Sequence, residues 1–285
     1  MSNTDNEPEF SLTATSNPSS SQSDNSARRK ALLLGRILGL ASEEGYRPSN
    51  ASVAERAAHR ARKMAAQHQA NVESIYTLAL KYTPSDMVGA DPDPDWLYQF
   101  FQMAEQIHNR RMQELWARIL AKELTEPGNF SLRTLETLRR LTWREAQTLE
   151  KALTVAVRVG SDDRLKILSG YRVTGGIGQL FRKSSSVTLP LSQFGLPYSA
   201  LVSLMDLGIL HSTEFETGEL DPKRTFSLML PKTELKLTPR HGHLLLSYYR
   251  FSTVGDELAH LVRPHTESNF GPALRGMLAK DFDVS

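Results

Sequence analysis

The longest helical pattern in the chain runs from Ser52 to Tyr82, and it limits what the rest can fold into. Ser52-Val-Ala-Glu55 has the spacing of a capping box, in which the Ser hydroxyl and the Glu carboxylate satisfy each other's exposed backbone amides. Val53, Ala57, Ala61, Met64, His68, Val72, Ile75 and Ala79 then recur every three or four residues, so they share one helical face. Thr83-Pro84 ends the pattern, because proline disfavours helical geometry in the residue before it. About thirty residues at a rise of 1.5 Å each span roughly 45 Å, more than a small bundle needs. A stripe this narrow and rich in alanine suits close packing against another helix. It predicts self-association through the long helix, 52–82.

The segments on either side follow from local signals. Residues 1–26 are almost wholly polar and cannot bury enough surface to offset the entropy of ordering, so they read as a disordered tail. A short helix is expected from Arg28 to Ala41. Beyond the long helix, Asp95 is the expected N-cap of a helix that carries Trp96, Phe100, Ala104 and Ile107 on one face. Asn109 separates it from a second helix faced by Met112, Leu115, Trp116, Ile119 and Leu120. Pro127-Gly128 stops that helix and Ser131 caps a third. Thr142-Trp-Arg-Glu145 is another capping box and opens a fourth. Residues 27–158 therefore read as a helical bundle with short connections. After Gly160 the texture changes. Leu165 to Val173 alternates like a strand, and Gln193 to Asp206 reads as two short helices. Pro222 marks a hairpin ahead of a strand at Thr225 to Leu230, and Thr253-Val-Gly-Asp256 caps the last firm helix, which stops at Arg263-Pro264. Helix, helix, strand and hairpin give the outline of a winged helix. The expected fold is mainly α: an N-terminal helical bundle and a smaller C-terminal α+β domain over 159–285, winged-helix-like.

Four stretches carry a resemblance. They are Asp91-Pro-Asp-Pro-Asp-Trp96, Met103 to Asn109, Met112-Gln-Glu-Leu-Trp-Ala-Arg-Ile-Leu-Ala-Lys-Glu123, and Pro127-Gly-Asn-Phe-Ser-Leu-Arg-Thr-Leu135. Over about residues 91–155 the chain resembles an uncharacterised bacterial family described only as a domain of unknown function. The resemblance implies a helical fold and supplies no activity, substrate or catalytic residue. Leu-Trp-Ala-Arg-Ile-Leu-Ala followed by Ser-Leu-Arg-Thr-Leu is also distantly similar to abortive-infection alpha-type proteins, which implies a link to phage defence. Physically, Trp96 and Trp116 are large apolar anchors, and Pro-Gly-Asn-Phe-Ser is a helix stop followed by a helix start.

Several chemistries are argued against by residue type and spacing. The chain has no cysteine, which excludes disulfides, thiolate zinc sites, iron–sulfur clusters and cysteine nucleophiles, and suits a reducing compartment. Glu105-x-x-His108 and Glu257-x-x-His260 each place two ligands on one helix face, but neither has a partner Glu on a neighbouring helix. His241-Gly-His243 puts two His on one face of a strand without a third ligand nearby. Gly176-Ile-Gly178-Gln-Leu-Phe181 lacks the third glycine of a dinucleotide fingerprint and the lysine of a phosphate loop. No Gly-x-Ser-x-Gly occurs. No catalytic residue, metal or cofactor is therefore expected.

Charge is the remaining lead. The net charge of +2 directs no partner, but residues 26–70 hold nine bases against three acids. Arg56, Arg60 and Lys63 fall at i, i+4 and i+7, one face of the long helix, with Arg28, Arg29 and Lys30 upstream. Such a face can neutralise phosphates. The stretch 188–211 has neither Lys nor Arg, so the winged-helix outline adds nothing to a DNA reading. The acidic, polar start is unlike a signal peptide, and no run of about 18 apolar residues occurs. The sequence thus predicts a cytoplasmic, non-enzymatic interaction or regulatory protein that self-associates or binds a protein partner, with no membrane partner. The alternative is a nucleic-acid- or anion-binding factor working through residues 28–63, linked to phage defence.

Overall fold

The computed structural model describes residues 26–86, 88–175, 185–231, 233–262 and 269–285. The expected tail up to residue 25, the Gly176–Phe181 motif and the Arg263-Pro264 helix stop lie outside them. Contacts divide the chain into two compact units, Met1–Ala70 and Asn71–Ser285.

The first unit contains α1 (Ala27–Ile37), a single 3-10 turn at Pro48–Asn50 and the first half of α2 (Val53–Tyr82). Ser26 caps α1 by accepting from the Arg29 amide at 3.3 Å. The capping box of α2 forms, with Glu55 accepting from the Ser52 amide at 2.7 Å and Ser52 from the Glu55 amide at 3.3 Å. The chain turns back at Gly39, whose φ of 69° is left-handed. A Cβ there would lie 3.0 Å from the His59 ring and 3.5 Å from the Arg60 backbone, so both the turn and the close approach to α2 require glycine. Among the described residues of this unit only Gly39 and Pro48 are buried.

The second unit begins with the rest of α2 and continues through α3 (Pro94–Ala104), α4 (Arg110–Glu123), α5 (Leu132–Arg140) and α6 (Trp143–Thr154). There follow β1 (Val157–Val159), β2 (Asp162–Val173), β3 (Ser186–Thr188), α7 (Tyr198–Asp206), β4 (Leu210–Glu216), β5 (Phe226–Met229), β6 (Glu234–Pro239), β7 (Leu244–Phe251), α8 (Thr253–Ala259), α9 (Phe270–Leu278) and β8 (Phe282–Val284). Eight strands form one antiparallel sheet in the order β4-β7-β2-β1-β5-β6-β8, with β3 also paired to β2.

This sheet overturns the expectation of a mainly α chain with a helical bundle. About 49% of the described residues are helix and 20% strand, and the helices are not clearly a bundle. The reason lies in where their apolar faces go. One continuous hydrophobic core runs from Ile75 through Trp96, Phe100, Trp116, Leu135 and Leu149 to Ile167, Leu246, Phe251 and Phe282. Helices and sheet bury each other instead of closing two separate cores. The winged-helix outline fails with it. The expected hairpin around Pro222 would join β4 to β5, yet β4 pairs with β7 while β5 pairs with β1 and β6. Alternation marks a strand locally but leaves its partner open.

Two caps also move. Asp93, not Asp95, caps α3 and accepts from the Trp96 amide at 2.8 Å. Pro94 thereby occupies the first helical turn, where its missing N–H costs nothing. Ser252 caps α8, and α8 is followed by α9 rather than ending the helices. The Thr142 capping box opens α6 as its spacing predicts, with Glu145 accepting from the Thr142 amide at 2.8 Å.

Trp116 is fully buried, its ring centroid 5.2 Å from that of Phe100, and its indole N–H has no acceptor among the described residues. Trp116→Ala should cost about 3–5 kcal/mol in denaturant unfolding. Trp116→Phe should cost clearly less, since the lost N–H made no bond; equal costs would contradict this placement.

Candidate functional site

The expected basic face sits in the first unit, and much of it is already engaged there. The Arg56 guanidinium donates to the carbonyls of Ala51 at 2.9 Å and Pro48 at 3.4 Å. The Lys63 ammonium pairs with Glu43 at 2.7 Å and donates to the Arg36 carbonyl at the end of α1, also at 2.7 Å. His59 meets the same carboxylate at 2.7 Å and stacks on Tyr46 at 3.6 Å between ring centroids. The Lys63 hydrogen bond, then that of His59, holds the Glu43 carboxyl below its usual range. Arg60 is exposed on the same helix. Of the three residues, then, Arg56 and Lys63 fasten the 39–51 connection to α2, and Arg60 faces solvent.

What the unit leaves bare is apolar. Leu32, Leu33, Leu34, Ile37, Leu38 and Leu40 are between 45% and 61% exposed, and α1 buries none of its residues. On α2 the stripe divides. Val53, Ala57, Ala61 and Met64 are exposed, whereas Ile75 and Ala79 on the same face are buried in the core. Sequence reasoning found the α2 stripe but missed the bare leucines of α1. The readable signal was the density of leucine beside Arg28, Arg29, Lys30 and Arg36 with no acid between them.

In the second unit the motif block resolves into a clamp on one loop. The Trp96 indole donates to the Phe130 carbonyl at 2.7 Å. Glu123, on α4 and buried, accepts from the Gly128 amide. Glu257, on α8, accepts from the Ser131 amide at 2.8 Å, the Ser131 hydroxyl at 3.0 Å and the Thr134 hydroxyl at 2.6 Å. Three elements thus grip the loop that enters α5, and the Phe130 ring is sealed beneath it. The second Glu123 oxygen is buried without a hydrogen-bond partner among the described residues. Burial raises this carboxyl, the amides of Gly128, Phe130 and Asn129 oppose that, and the Glu257 charge adds to it.

The Glu-x-x-His pairs are explained by this packing. Glu257 serves the α5 terminus while His260 is exposed. Glu105 offers its backbone carbonyl to the buried Asn71 amide at 2.7 Å, and Gln113 bridges Asn71 at 3.3 Å and the Ile107 carbonyl at 2.8 Å. The two histidines expected to share a strand face instead sit in the turn between β6 and β7. His241 meets Asp281 at 3.1 Å and His243, at φ 65°, meets Glu219 at 3.1 Å. Among the described residues no group of three or more His, Asp or Glu is placed to hold a metal ion. A hollow of about 610 Å³ is lined by Tyr82, Arg118, Lys122 and His260. Its Lys122 pairs with Glu126 at 2.7 Å, and Arg118 lies over Tyr82 while donating to the Leu261 carbonyl at 3.2 Å.

A family model described as a protein of unknown function, DUF2806, matches residues 55–275. No curated protein and no solved structure matches the chain.

The clamp generates a pH test. The folded Glu123 carboxyl titrates above its ordinary 4.5, so the unfolded chain ionises first and the native state loses stability as pH rises from there. Glu123→Gln keeps an acceptor for Gly128 and removes the charge. The variant should therefore gain on the parent between pH 4.5 and neutrality, read by denaturant unfolding at both ends. A difference that stays flat with pH would contradict a strained buried carboxylate.

Proposed function

The chain belongs to the DUF2806 family of proteins of unknown function, and we propose that it is a non-enzymatic interaction or regulatory protein that associates with a second copy through α2. One observation carries this reading: a single helical stripe is covered by the core from Ile75 onward and left bare from Val53 to Met64. A free unit with no large buried apolar side chain has little to offset its ordering entropy. The alanines at 57 and 61 let a second backbone approach to the 8–10 Å of tight helix pairs. In a symmetric pair each copy contributes the same stripe, so the apolar gain doubles while the entropy of association is lost once. The family description assigns no activity, and the titratable groups singled out in the second unit serve helix ends and loops.

A nucleic-acid- or anion-binding role, with its link to phage defence, is the second reading. It is favoured by exposed Arg60 and Arg62, and weakened by the Glu43 carboxylate that neutralises Lys63.

Ala61→Glu and Met64→Glu would each place a charge in a close helix contact. Light scattering should show the parent as an oligomer and either variant shifted to monomer, with dissociation at least about tenfold easier. In parallel, Arg60→Glu should leave assembly intact. A parent that is monomeric across the concentration range would overturn the association. Steeply salt-dependent DNA binding lost in Arg60→Glu would move the conclusion to the second reading.

A further inference from the structure

α1 carries two chemistries side by side, an exposed apolar stripe and a set of exposed cations. Leu33, Leu34, Ile37 and Leu38 fall at i, i+1, i+4 and i+5, one stripe of the helix, and are 48%, 58%, 61% and 45% exposed. Leu40 extends the apolar surface past the helix end at 57% exposure. The same eleven-residue helix holds Arg28, Arg29, Lys30 and Arg36, all exposed, and no acid. At 100° per residue Arg28, Arg29 and Arg36 lie off the stripe, and Lys30 lies one turn ahead of Leu33 and Leu34, where its long stem can cross apolar surface with the ammonium in water.

The occupant must match both chemistries. A nucleic acid would neutralise the cations and leave the leucines in water. A second α1 would cover the leucines but, with no acid in its eleven residues, would offer the cations no counter-charge. A surface that is apolar below and anionic above satisfies both at once. Among the described residues no helix is long and apolar enough to cross a membrane, and α1, at roughly 16 Å, is too short to span one, so the expectation of no membrane partner holds for spanning and is revised here only for attachment along a surface. We propose that α1 lies along an anionic lipid surface, with Leu33, Leu34, Ile37 and Leu38 among the acyl chains and Arg28, Lys30 and Arg36 on the headgroup phosphates. The surface is separate from the α2 stripe, so this attachment goes beyond the association proposed above and stands without it.

The test uses the full-length chain and sedimentation with vesicles of phosphatidylcholine, alone or with about one third phosphatidylglycerol. The parent should bind the anionic vesicles and bind neutral ones at least about tenfold less, with the difference shrinking as salt is added. Arg28→Gln with Lys30→Gln should weaken anionic binding by roughly fivefold per cation. Leu34→Ser with Ile37→Ser removes two exposed side chains and leaves the core untouched; it should weaken binding by about tenfold or more. Met64→Glu, which tests the α2 association, should bind vesicles as the parent does, so failure of one reading is distinguishable from failure of the other. A parent that ignores anionic vesicles overturns the proposal. So does vesicle binding indifferent to Leu34 and Ile37. Loss of self-association in the Leu34/Ile37 variant, with no vesicle binding by the parent, would assign α1 to a second copy and overturn it likewise.

Discussion

Everything distinctive about this molecule follows from where its hydrophobic core stops along α2. From Ile75 to Ala79 the helix shares the core that continues through Trp116 to the sheet. Before Asn71 the same helix, with the same three-and-four spacing, buries none of its residues. Burial of apolar surface is the main favourable term in folding, at roughly 25 cal/mol per Å², so the two halves of one helix are held by different means. The later half is fixed by the core and by the buried Asn71–Gln113 bridge. The earlier half is held by polar contacts: the Ser52–Glu55 box, Arg56 on two carbonyls, and Glu43 gathering His59 and Lys63. Such contacts orient a connection, but partly exposed ion pairs contribute little to stability.

In the second unit the organising contact is the grip on residues 128–131. Backbone groups at a helix start lack intrahelical partners. Here an indole from α3 donates to the Phe130 carbonyl, and carboxylates from α4 and α8 accept from the Gly128 and Ser131 amides, so the loop entering α5 joins the helical part to the segment that follows β7. The arrangement places two carboxylates close to one helix N-terminus, and one of them, Glu123, is buried with an unpartnered oxygen. The residues of this block are therefore accounted for by packing and capping.

The legible parts of the sequence were those encoded within four or five adjacent residues. The Ser52 and Thr142 boxes and the Ser131 cap sit where their spacing puts them, and Trp116 is as buried as its stripe requires. Asp93 rather than the expected Asp95 caps α3 because two aspartates flank one proline and only the proline's own preference separates them. The sheet was illegible for a deeper reason. β2 and β7 pair across about eighty residues, and nothing in the alternation of either strand names the other. Glu257 had the spacing of a ligand, and only the fold reveals that α5 needs its carboxylate. The bare leucines of α1 were hidden in a similar way, since a stripe reads the same whether or not anything covers it.

In the proposed pair, residues 53–70 gain their protection from another copy, while the end of α2 gains it from the core. Amide hydrogen exchange along α2, followed at increasing protein concentration, measures this directly. Protection over 53–70 should rise with concentration and that over 75–82 should stay constant. Protection that is equal in both halves and independent of concentration would contradict it.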